Sequence, residues 1–107
     1  MSLPSKRKPT TPGEMLLKEF LEPMKITQRS FADHLGWTYA RVNEIVNNKR
    51  GITAETALSF ADAFDMEPEF WLNLQRNLDL WEAQQTHSKK KVINDPHYEN
   101  DDIKDVK

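Results

Sequence analysis

Gln28, Arg29, Thr38, Tyr39, Arg41, Asn43, Glu44, Asn47, Lys49 and Arg50 crowd into one short stretch of the chain. Their chemistry is recognition by charge and hydrogen bonding, not bond making. A guanidinium forks onto guanine O6 and N7, a side-chain amide serves a base edge, and a carboxylate accepts from cytosine N4. Cations neutralise phosphates. Arg41 therefore fits guanine if it faces a groove and phosphate if it leans aside. Asn43 and Asn47 suit bases or phosphate. Glu44 is either a base-specificity element or a local ion-pair partner. Gln28 and Arg29 are phosphate candidates or solvated side chains. Lys49 and Arg50 are expected on phosphates.

Such a set works only if the fold holds it in one surface. The run Gln28–Asn47 reads as two short helices joined by a tight turn. Ala32 is small enough for a close helix crossing. Gly36 enters the left-handed region at no steric cost, ending the first helix and turning the chain. Thr38 can cap the second helix. Phe31, Ala32 and Leu35 are predicted to face Val42, Ile45 and Val46. This is the steric skeleton of a helix-turn-helix, and it leaves Tyr39, Ala40, Arg41, Asn43, Glu44 and Asn47 outward, within reach of a DNA major groove. The same spacing also fits a plain helical hairpin.

At 107 residues the chain has room for one domain plus tails. It has no cysteine, which excludes disulfides and thiolate zinc sites and points to a reducing cytoplasm. No apolar run approaches the roughly 18 residues of a membrane span, and Lys6-Arg7-Lys8 lacks the apolar stretch of a signal peptide. Net charge is -2, but its distribution is uneven. Basic residues dominate Met1–Thr11 and Thr27–Arg50; acidic residues dominate the rest of Pro12–Gln85. One face thus suits phosphates and another a cationic partner.

Residues 1–10 are expected to form a flexible basic arm, residues 11–85 the folded domain, and residues 86–107 a mobile mixed-charge tail with sparse apolar points at Ile93, Tyr98, Ile103 and Val106. Five helices are predicted. The first starts at Thr11, with Pro12 at its first position, and stops at Pro23. Thr27 caps the second. His34, near its end, is read as a favourable charge at the negative helix pole, since neither His87 nor His97 has metal-ligand spacing to it. Lys49 and Arg50 follow the third helix, with Gly51 as a turn glycine. Thr53 caps the fourth, whose inner stripe is read as Ala57, Leu58, Ala61 and Phe64. The fifth opens on Pro68. Its face of Phe70, Trp71, Leu74, Leu78 and Trp81 is more apolar surface than one small domain covers, so these residues are expected at a dimer interface.

At this point a family resemblance enters. The segment Gly51–Gln75 (GITAETALSFADAFDMEPEFWLNLQ), directly after Ile45–Arg50 (IVNNKR), strongly resembles the HigA, or VapI-like, antitoxins of the Xre/lambda-repressor-like helix-turn-helix superfamily. Pro12–Trp37 is similar to that family's opening helices. The resemblance implies an all-α, five-helix, lambda-repressor-like DNA-binding domain with flexible termini. It implies a homodimeric repressor of a palindromic operator that also neutralises a HigB/RelE-like, mRNA-cutting toxin. It places Thr38 and Tyr39 at the start of the reading helix, against the backbone or first bases. Asp65 stands where that family has a helix-ending glycine, and Glu67 where it has a capping Ser or Thr.

Three functions remain in competition: an antitoxin-repressor, a stand-alone Xre-type regulator without a toxin, and a protein-only adaptor. Enzymatic chemistry is disfavoured. There is no cysteine, no glycine-rich phosphate loop, and no Ser/His/Asp set whose proximity follows from the sequence. No cofactor or metal is expected, and no membrane partner.

Overall fold

The computed structural model describes residues 7–94. Part of the basic arm and most of the tail, including Tyr98, Ile103 and Val106, therefore lie outside the described residues. Among those described there are five helices and no strand. The first, α1, is α-helical over Pro12–Met15, widens to a π-helix over Leu16–Leu21 and returns to α-helix over Glu22–Met24. The others are α2 (Gln28–Leu35), α3 (Tyr39–Val46), α4 (Ala54–Phe64) and α5 (Pro68–Thr86).

Four helices start in the same way. Thr11, Thr27, Thr38 and Thr53 each sit in extended backbone, and each hydroxyl accepts from the N–H three residues on, at 3.0–3.3 Å. That satisfies one orphan donor per helix and contributes about 1 kcal/mol apiece. The fifth helix opens at Glu67 with no side-chain cap, as the departure at that position implies.

Four helices also stop in the same way. A left-handed residue follows α1, α2, α3 and α4: Lys25, Gly36, Asn48 and Asp65. The next N–H then closes back on the helix: Ile26 to Leu21 O, Trp37 to Ala32 O, Lys49 to Glu44 O and Met66 to Ala61 O, all at 2.8–3.0 Å. This is the Schellman arrangement, repeated. One sequence expectation changes here: Pro23 does not stop α1, which widens to a π-turn before it and runs on to Met24. The left-handed residue after α3 is Asn48.

The core is aromatic. Phe60 and Trp71, both wholly buried, meet edge-to-face at 4.9 Å. Phe31 stacks on Phe64 at 5.3 Å, Phe20 closes the cluster at 4.6 Å from Phe64, and Trp37 reaches it through Phe60 at 5.9 Å. Leu16, Leu21, Ala32, Val42, Ile45, Ile52 and Ala57 fill the remainder. Three residues fall differently from the expected pattern. Phe60, not Leu58, joins Ala57 and Ala61 on the inward side of α4, and Leu58 is 51% exposed. Trp71 and Leu78, expected at a dimer interface, are buried inside the protomer and unavailable to a partner.

α1 crosses the C-terminal end of α3 at very close range. A Cβ at Gly13 would collide with the backbone carbonyls of Ile45 and Val46, so only glycine lets the helices meet there. On the other side, the Gln75 side chain of α5 accepts from the buried Ile52 N–H at 2.7 Å and donates to Asp79 at 2.9 Å. That bond pins the loop between α3 and α4.

Candidate nucleic-acid interface

α3 buries Val42 and Ile45 and turns its other side outward. Tyr39, Ala40 and Asn47 are exposed; Arg41, Asn43 and Glu44 are half-buried at its flanks. No other described element covers this side, so the polar surface anticipated from Thr38 to Asn47 is open. Thr38 itself takes the Arg41 N–H at 3.1 Å. It fixes the helix start while remaining exposed.

The side chains are already organised. Asn43 Nδ2 donates to Gln28 Oε1 at 3.0 Å and lies 3.3 Å from Tyr39 Oη. Gln28 is therefore no free solvated group: it ties the first turn of α2 to the middle of α3. Asn47 Nδ2 donates to the Asn43 carbonyl at 2.9 Å. The Arg29 guanidinium sits over the Tyr39 ring, 4.9 Å from its centroid. Arg41 lies on Trp37 at 3.5 Å. Glu44 takes Arg50 through Nε at 2.9 Å and Nη2 at 2.7 Å. The ion-pair reading of Glu44 is thus the one the free chain adopts, and Arg50 begins with a carboxylate partner. Lys49 makes no ion pair among the described residues and stands exposed beside them.

Two contributors were not read from the sequence. One is Trp37: an aromatic four residues before an arginine at a helix start is the signal for a stacked pair. Gly13 carried no local signal at all, because the carbonyls it admits lie more than thirty residues away in sequence. Among the described residues no three His, Asp or Glu side chains converge to hold a metal ion, and no helix is long and apolar enough to cross a membrane.

A capped pair of helices with a left-handed glycine between them, the second lying polar side outward, defines a helix-turn-helix protein. The helix-turn-helix family model HTH_3 matches residues 17–71, more than half of the chain. The chain belongs to that family, in the group that includes the HigA antitoxins. It is 45% identical over 78 residues to the uncharacterised HTH-type transcriptional regulator YbaQ of Escherichia coli K12, covering 73% of this chain and 69% of that one. It is 40% identical over 86 residues to antitoxin HigA-1 of Vibrio cholerae serotype O1, covering 80% and 81%. Antitoxin GraA, solved in complex with its operator, superposes with a TM-score of 0.74 at 35% identity, covering 85% of this chain and 98% of GraA.

Proposed function

We propose that this chain is a sequence-specific DNA-binding antitoxin. It represses its own operon as a homodimer on a palindromic operator and neutralises a RelE-like, mRNA-cleaving toxin. The observation that carries the DNA half is the open outer side of α3, its side chains held by the Asn43–Gln28 and Thr38 bonds. It is joined by likeness to a protein solved on its operator. Two α3 helices related by a two-fold axis would enter successive major grooves about 34 Å apart. Gln28, Arg29, Thr38, Lys49 and Arg50 would hold phosphates; Tyr39, Arg41, Asn43, Glu44 and Asn47 would lie towards base edges. The dimer would form through the C-terminal half of α5, where Leu80 is 54% exposed and Trp81 half-buried.

The toxin half rests on family membership and on the acidic balance outside the reading unit, which suits a cationic partner. A specific observation keeps a second reading in view: among the relatives with highest identity are HTH-type regulators not named as antitoxins. In that reading the chain regulates transcription with no toxin. One experiment separates them. The gene is co-expressed with its upstream neighbour, the complex is purified, and binding to the promoter is measured across salt concentrations. A co-purifying small basic protein whose growth arrest this chain relieves supports the antitoxin. Promoter binding without such a partner supports the stand-alone regulator. Absence of any salt-sensitive promoter shift would overturn both.

A further inference from the structure

Arg41 is held in an unusual way. Its guanidinium carbon lies over the Trp37 indole, 3.5 Å from the ring centroid. Its Nε is buried and makes no hydrogen bond. The indole cannot easily yield, because its other contact is the wholly buried Phe60 at 5.9 Å. The arginine is thus braced through Trp37 against the centre of the core.

An arginine has two forked edges, one made of Nε and an Nη, the other of the two Nη groups. Burying Nε removes the first. The end-on fork remains: neither Nη is among the buried atoms without a partner, and neither donates a hydrogen bond among the described residues. Stacking consumes the face of the guanidinium and leaves its in-plane donors free. An arginine restricted in this way meets an acceptor pair along a fixed line. Guanine O6 and N7 form such a pair in the major groove.

We propose that Trp37 is a positioning residue that fixes the base Arg41 reads, by restricting Arg41 to an end-on fork on one guanine in each half-site. The inference rests on the DNA-reading function proposed above and decides between the two roles open to Arg41. Trp37 lies in the turn, outside the reading helix, and acts only through Arg41.

The test is selection from a random duplex library with the full chain, followed by salt-dependent binding to the enriched site and to single-base-pair variants of it. Wild type is expected to enrich a G·C pair at one position of each half-site. Arg41→Lys keeps the charge but loses the fork. It should flatten preference at that pair by roughly 5- to 100-fold and leave the salt slope unchanged. Trp37→Leu should flatten the same pair and no other, the double variant should add nothing further, and Trp37→Phe, which keeps an aromatic plate, should recover part of the preference. Trp37→Leu loosens packing on Phe60, so Trp37→Phe and Arg41→Lys carry the test if it folds poorly. A wild-type chain that enriches no sequence overturns the DNA-reading function itself. A wild-type chain that enriches a site at which Arg41→Lys, or a folded Trp37→Leu, behaves as wild type at every base pair or weakens all sequences equally overturns only the role given to Trp37 and Arg41.

Discussion

Lys49 and Arg50 are neighbours in sequence with different circumstances. Lys49 stands exposed with no ion-pair partner among the described residues, whereas Arg50 is held by Glu44 at 2.7 Å. Both members of that pair are close to half exposed. Such a surface pair contributes about 0–1 kcal/mol, so trading carboxylate for phosphate costs little. Lys49→Ala should lower the slope of log affinity against log salt by about 1, with equal loss on all sequences. Glu44→Gln should raise affinity at low salt, because it removes a negative charge near the duplex and releases Arg50. A changed base preference in that variant would instead return Glu44 to reading cytosine. At this scale the sequence identified which side chains cluster, from their types and spacing. It did not identify which of them hold each other. Asn43 on Gln28 spans two helices, and its geometry exists only once Gly36 has set the angle between them.

Helix starts were legible and helix stops were only half so. Each threonine cap is a local event within four residues, and all four appear where side-chain chemistry put them. Of the four left-handed ends, Gly36 and Asn48 carry residue types that enter this region readily. Lys25 and Asp65 adopt that conformation against their own preference, at a cost of roughly 1–2 kcal/mol. Asp65→Gly should therefore stabilise the fold by roughly 0.5–1 kcal/mol, after allowing for the greater freedom of glycine in the unfolded chain. A urea midpoint raised at unchanged slope is the signature. Gly13→Ala should do the opposite, costing about 3 kcal/mol, because the obstructing atoms are backbone carbonyls that cannot rotate away. The inward turn of Phe60 and the π-segment of α1 escaped sequence reading for the same reason: both are settled by what packs against them, not by period or propensity.

At the scale of the whole molecule, α5 serves two ends. One side of it fills the protomer through Trp71 and Leu78, and another leaves Leu80 outside. Substitutions along it should therefore separate cleanly. Trp71→Ala should cost about 3–5 kcal/mol and unfold a domain this small. Leu80→Glu should leave helicity and unfolding cooperativity intact while yielding a monomer in sedimentation and weakening promoter binding. A Leu80→Glu protein that remains dimeric would place the contact elsewhere. The apolar face of α5 was legible in the sequence, but its division between interior and exterior was not, because that depends on where α1 and α4 lie against it.

Gln75 occupies the same helix and holds the Ile52 N–H just beyond Lys49 and Arg50. One amide therefore joins the rod on which two subunits would lean to the hinge that carries the cations. In the proposed dimer a tilt of that rod would be felt at the loop, so association and grip on the duplex would be mechanically geared rather than independent.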